Sequence, residues 1–196
     1  TELVMKRLIY QVCLGRQANS KLYKHCINSV SEYCEKFDIE HIVQTTPKIK
    51  IKPDPFSSNR STDSWQKHGG FLPIYEKENA FDLLDDYDQI AIIDADIYIR
   101  DTAPDIFKEL KPETDFAGVY EREMPVTPQY GAKIRNYSHM QYGKFEKHFD
   151  FNHAYGAPFM NMGMMVMNNS FSKYLGGLSP KDWLMQPVFK DFIDGL

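Results

Sequence analysis

The sequence predicts one α/β domain of layered form with a mostly parallel central sheet, and three observations predict it. Segments rich in β-formers alternate with segments of helical period. Residues 90–93 (IAII) are a short, wholly apolar run, as expected of a strand buried on both faces of a parallel sheet. The length of 196 residues suits one domain with a full hydrophobic core and would cramp two, so residues 1–196 are read as a single domain.

Composition narrows the class. With 42% apolar and 26% charged residues, the chain is globular rather than disordered. A net charge of -4, with no local concentration of Lys and Arg, argues against nucleic acid as the main partner. Cys13, Cys26 and Cys34 show no framework spacing, and an odd, unpatterned count favours a reducing compartment. Neither a charged-then-apolar leader nor an apolar run of the roughly 18 to 20 residues a membrane span needs is visible. The expectation is a soluble, cytoplasmic protein with no membrane span.

The elements follow in order. Residues 7–14 (RLIYQVCL) predict a first strand, ended by Gly15. Leu22, Cys26, Val30, Tyr33, Cys34 and Phe37 recur at helical spacing and predict a helix with one apolar face, in which Cys26 and Cys34 are small core residues. Residues 39–45 alternate like a second strand. Residues 46–70 carry Pro47, Pro53, Pro55, Gly69 and Gly70 among polar residues and predict loop. A helix over 73–84 tolerates Pro73 in its first turn and would turn Ile74, Phe81 and Leu84 inward. After the strand at 90–93, residues 97–99 (IYI) predict another short strand. Thr102 with Asp105 reads as a capping box opening a helix through Leu110, with Pro104 in its first turn. Residues 115–120 predict a strand, 121–158 a long loop, and 159–168 (FMNMGMMVMN) an apolar strand. Gly176 and Gly177 mark a turn, and 181–194 a terminal helix.

Chemistry concentrates at Asp94-Ala95-Asp96. Carboxylates are costly to bury without partners, and two of them directly after a buried strand need an explanation. In an extended segment, residues two apart project to one side, so Asp94 and Asp96 are placed to converge on one divalent cation. Hard oxygen ligands suit Mg²⁺ or Mn²⁺, which keep positions open for substrate phosphates. Open α/β sheets gather ligands beyond the carboxyl ends of their strands, where this pair would lie. Ala95 is small enough to let a ligand approach. The plainer reading makes both carboxylates ordinary loop residues capping the next turn.

The segment YDQIAIIDADIYIRDTAPDIF resembles the signature of GT-A glycosyltransferases, particularly the glycogenin and family 8 type, and FMNMGMMVMN resembles the Phe-Asn-Ser-Gly-Val strand of that family. The resemblance implies a GT-A, Rossmann-like fold and a metal-dependent transfer of sugar from a nucleoside diphosphate donor, a UDP-sugar by preference, to a hydroxyl of a glycan or other acceptor. It implies that Asp94 meets cation and ribose and that Asp96 ligates a Mn²⁺ or Mg²⁺ bridging the diphosphate. It places Lys77 near the donor phosphates, Leu14 and Gly15 beside the base, and Asn161 at the sugar or acceptor side. Plain alternatives stand beside these roles: Lys77 as a solvated lysine, Asn161 as a hydrogen-bonded structural amide, Gly163 as a close-packing residue, and Met160, Met162, Met164, Met165 and Met167 as adaptable core.

The family also supplies a third metal ligand, usually histidine, and an Asp-Gln segment on the acceptor side. Neither occurs before Leu196, so the expectation is a C-terminally incomplete domain. His148 and His153, flanking Asp150, suit no helix or strand face as substitutes. Acceptor recognition would fall in 121–158, with Tyr120, Tyr130, Tyr137, Tyr142, Tyr155, Phe145, Phe149 and Phe151 available for stacking and Lys133 and Arg135 for phosphate. A catalytically silent nucleotide-sugar or glycan-binding domain is the alternative. A sugar nucleotidyltransferase is disfavoured by the single glycine of Gly15-Arg16-Gln17-Ala18-Asn19, and a phosphatase by the position of the acidic pair so far from the N-terminus.

Overall fold

A computed structural model describes residues 4–52, 59–143 and 159–189. Five strands form one sheet: β1 (Arg7–Val12), β2 (Glu40–Gln44), β3 (Gln89–Ile93), β4 (Phe116–Tyr120) and β5 (Met160–Asn168), in the order β2-β1-β3-β5-β4. β1 pairs with β2 and β3 in parallel, while β5 pairs antiparallel with both β3 and β4. Four strands therefore run one way and β5 runs against them. The fold is mixed α/β and Rossmann-like, its sheet mixed where the sequence stressed parallel pairing.

Alternation along the strands builds two cores. Ile9, Ala91, Ile93 and Val166 face α1 (Lys21–Phe37), which contributes Val30, Tyr33 and Cys34, and Phe107 and Leu110 complete that layer. Leu8, Tyr10, Ile90, Ile92, Met165 and Met167 face the other way, onto Ala80 and Leu84. All of β3 is buried, as the apolar run required. All three cysteines are buried and free, and burial pushes their thiols up, Cys34 to about 12, which keeps them protonated and inert. Leu22, at the start of α1, is exposed rather than part of the apolar face. The helix ends where Asp38 takes a left-handed conformation and its N–H bonds the Cys34 carbonyl.

Residues 73–83 form consecutive 3-10 turns instead of the expected α-helix. A period of three aligns residues three apart, so Glu76 and Asn79 share the inward face and Ile74 is turned out to solvent. Phe81 and Leu84 still pack inward. The Glu76 carboxylate, fully buried, accepts from the N–H groups of Lys48 (3.0 Å) and Ile49 (2.9 Å), from Gln44 Nε2 (2.7 Å) and from Asn79 Nδ2 (2.6 Å). A buried charge so completely bonded is stable in place and fixes the chain after β2.

Other expectations need correction. The supposed loop 46–70 contains α2 (Asn59–His68), whose Ser64 is buried and donates to the Phe71 carbonyl. The supposed loop 121–158 contains α3 (Pro128–Gly143). Residues 97–99 form no strand, although Ile97 and Ile99 pack on the core. Asp105, not Thr102, caps the following turn. Its Oδ1 accepts from the Phe107 N–H at 3.1 Å while its Oδ2 pairs with Arg7 at 2.7 Å. That turn is a 3-10 helix, Ile106–Glu109. Gly176 and Gly177 both take positive φ, as a tight turn there requires. Ser179 caps α4 (Pro180–Leu184), and 190–194 of the expected terminal helix lie outside the described residues. Among the described residues no helix is long and apolar enough to cross a membrane.

Candidate functional site

The chain passes from β1 to β2 on one side of the sheet and returns to β3 on the other side of β1. Open α/β sheets receive ligands beyond the carboxyl ends of the strands that flank such a reversal, here β1 and β3. Leu14 and Gly15 follow β1 at that end of the sheet, and Asp94, Ala95 and Asp96 follow β3.

Asp94 is the first residue after the buried strand. The segment is a tight turn rather than extended, because Ile97 N–H bonds the Asp94 carbonyl at 3.1 Å. Gln11 Nε2 donates to the same carbonyl at 3.3 Å and is itself held by His41 at 2.7 Å, an imidazole whose pKa burial lowers. The Asp94 N–H bonds the Gly163 carbonyl at 2.8 Å, joining β3 to β5 one residue beyond their ladder. The Asp94 carboxylate forms an ion pair with Lys77, which also donates to the Met162 carbonyl at 3.1 Å. The Lys77 side chain is thus mostly buried and bonded to Asp94, not merely solvated.

Asp96 is exposed and Ala95 buried. The Cys26 thiol of α1 donates to the Asp96 carbonyl at 3.3 Å. Tyr23, one turn earlier, feels both carboxylates. Burial first, then the charges of Asp96 and Asp94, holds its hydroxyl above the usual 10.0. Among the described residues no group of three or more His, Cys, Asp or Glu comes together as a metal cage. Asp94 and Asp96 are the two carboxylates of this turn, and one Asp94 oxygen is already taken by Lys77. A hard cation held here would complete its shell with waters and phosphates.

Asn161 reaches the site from β5. Between Gly118 and Val119 the β4–β5 register jumps from Met165 to Asn161, so 162–164 bulge away from β4 while β5 stays bonded to β3. Bulges of this sort re-aim side chains beside functional sites. Asn161 Oδ1 accepts from the Gly163 N–H at 2.7 Å and its Nδ2 donates to Glu121 at 2.8 Å. A Cβ on Gly163 would stand 2.7 Å from Asn161 Oδ1 and 3.2 Å from Asp94 Oδ2. Gly163 therefore permits the acidic side chain and the amide to sit side by side. Met165 and Met167 are core, but Met162 is exposed at the site.

Sequence reasoning missed Glu121, which is buried directly after β4 as Asp94 follows β3. A carboxylate ending an apolar strand was the available signal. It also missed His68, whose ring covers Gly15. Gly15 has φ +62°, and a Cβ there would lie 2.9 Å from His68 Nδ1. Of the supposed acceptor side, Lys133, Arg135, Tyr130 and Tyr137 are exposed on or beside α3, and Tyr137 meets Phe159 edge-on at 5.7 Å. Tyr120 and Tyr142 are half-buried. Phe145, His148, Phe149, Asp150, Phe151, His153 and Tyr155 lie outside the described residues.

No protein-family model and no curated protein matches the chain. Solved structures with a similar course include a glycosyltransferase involved in glycosylation of the major capsid of PBCV-1, at 8% identity over 95% of this chain and 77% of that chain, TM-score 0.46. Mouse xyloside xylosyltransferase 1, in its apo form, is similar at 10% identity over 95% of this chain and 74% of that one, TM-score 0.48. Galactosyltransferase LgtC, in complex with donor and acceptor sugar analogues, is similar at 13% identity over 93% of this chain and 61% of that one, TM-score 0.45. These distant likenesses decide nothing about the chemistry of the site.

Proposed function

We propose that the chain is the donor-binding part of a metal-dependent glycosyltransferase of GT-A type, residues 1–196 forming one domain. It moves a sugar from a nucleoside diphosphate, a UDP-sugar by preference, to the hydroxyl of a glycan or other acceptor. The observation that carries this reading is the placement of Asp94. It leaves a wholly buried strand at the sheet's reversal point, paired with Lys77 and backed by Gly163.

Asp94 and Asp96 would hold Mn²⁺ or Mg²⁺. The bound cation supplies positive charge to the diphosphate and eases its departure. Lys77 adds a second positive charge on the same side. Leu14, Gly15 and Ala95 form a close-approach floor for base and ribose. Asn161, its amide oriented by Glu121, faces the sugar. In transfer the acceptor oxygen bonds the anomeric carbon, the bond to the diphosphate breaks, the diphosphate keeps the electron pair, and the hydroxyl proton passes to the departing diphosphate and from there to water.

A silent nucleotide-sugar or glycan binder is the second reading. It is favoured by the Lys77–Asp94 pair, which already neutralises one carboxylate. Calorimetry with UDP separates the metal-bridge reading from its failure. Binding should require Mn²⁺, vanish with EDTA and weaken about tenfold or more in Asp96→Asn. Binding indifferent to chelation and to that substitution rejects the bridge. Release or transfer of sugar from a UDP-sugar distinguishes enzyme from binder.

A further inference from the structure

Beside the acidic pair lies an apolar cavity of about 550 Å³, within the range of roughly 300–1,000 Å³ typical of small-molecule pockets. Ile93, Ile97, Ile99, Ala103, Ile106 and Met164 line it. The Tyr33 hydroxyl in its wall is already committed, donating to the Pro104 carbonyl at 2.6 Å and accepting from the Ile106 N–H at 2.7 Å. That wall asks no hydrogen bond of an occupant. A separate cavity of about 140 Å³ shares Ile106, Glu109 and Met164 with it and is lined further by Ala117 and Val119 of β4. The polar lining is Tyr98, Arg100, Thr102 and Glu109, all exposed, with Tyr98 stacked on His25 at 5.0 Å.

Ile93 and Ile97, which flank Asp94-Ala95-Asp96 in sequence, both line the cavity. A Cβ on Gly163 would stand 3.2 Å from Asp94 Oδ2 and 3.5 Å from Ile97 Cδ1, and Ile97 lines the cavity. The geometry points to a subsite for the apolar aglycone of the acceptor: an alkyl or similar chain lies in the cavity and presents its polar, hydroxyl-bearing end towards the Asp94 rim. The inference rests on the transferase reading for its role and on the cavity alone for its ligand class.

Hexyl and methyl β-D-glucopyranoside are the probes, followed by the ¹³C ε-methyl signal of Met164, assigned with Met164→Leu. The hexyl compound should shift that signal and bind about tenfold or more tightly than the methyl compound, because only its chain is removed from water. Ala103→Trp fills the cavity and should abolish this preference while UDP binding with Mn²⁺ is kept. Thr102→Trp, at an exposed rim position, serves the same purpose if the first variant does not fold. Equal binding of the two glucosides, or a hexyl preference that survives both filled variants, overturns the subsite. Loss of metal-dependent UDP binding with the hexyl preference intact overturns the transferase reading and leaves an apolar pocket without that role.

Discussion

Lys77 and Asp94 form an ion pair at the carboxyl end of β3, and the same ammonium reaches the Met162 carbonyl at 3.1 Å. Three parts of the chain are tied there: the 3-10 segment before β3, the turn after it, and the bulge of β5.

Lys77→Met removes the charge and keeps most of the stem. Asp94 loses its partner, and the effect on stability should be modest, about 1–2 kcal/mol, because the carboxylate can still reach water. Nucleotide affinity should fall about tenfold or more, since a phosphate-side cation is gone. Urea unfolding and calorimetry with UDP and Mn²⁺ measure the two effects separately. Unchanged UDP affinity in a folded variant would remove Lys77 from the donor site.

Gly163→Ala puts a methyl group 2.7 Å from Asn161 Oδ1 and 3.2 Å from Asp94 Oδ2. The amide must move, breaking its bond to the Gly163 N–H and loosening its hold on Glu121. Stability should drop by about 1–3 kcal/mol, and transfer of sugar should suffer more than binding of UDP alone. Thermal unfolding and a comparison of UDP-sugar turnover with UDP affinity test this. Equal turnover to the parent would show that the amide's position is unimportant.

Gly15→Ala meets both a positive φ of +62° and the His68 ring 2.9 Å away. The backbone strain alone should cost about 1 kcal/mol. If the base lies at this rim, nucleotide binding weakens further than binding of inorganic pyrophosphate does. Parallel titrations with UDP and pyrophosphate expose the difference.

Burial pushes the Glu78 carboxyl from 4.5 up to about 7. A carboxyl raised in the folded state binds its proton more tightly there than in the unfolded chain. Stability from this group is therefore greatest below about pH 4.5 and is lost as pH climbs towards 7. Asp82, also raised by burial, adds to the same slope. Glu78→Gln should flatten that slope and make the protein more stable at pH 8, by at most about 3 kcal/mol. Urea midpoints at pH 5 and pH 8 for both proteins decide it, and identical slopes would refute the assignment.

What the sequence made legible was whatever burial on two faces writes into it. Ile90 to Ile93 had no polar face to hide, so the strand and the sudden Asp94 were plain. The helices at 59–68 and 128–143 were not, because neither buries an apolar stripe. The first turns Ser64 inward, and the second leaves Tyr130, Tyr137 and Met140 exposed. At 73–83 a period of three brought Glu76 and Asn79 inside where a period of 3.6 had promised Ile74. Thr102 and Asp105 were both plausible caps; Arg7, 98 residues away along the chain, settles the choice by pairing with Asp105. Long-range partners such as this one leave no local mark.

The direction of β5 has a consequence of its own. Since β4 runs towards the end of the sheet that carries Asp94 and β5 runs away from it, the sheet gives up the chain at Glu121 and takes it back at Phe159 on the same edge, with Glu121 N–H bonded to the Phe159 carbonyl at 2.9 Å. The excursion is closed at its base like a purse string. The two ends of the excursion are tied to each other at the sheet, and neither Asp94 nor Lys77 takes part in that tie.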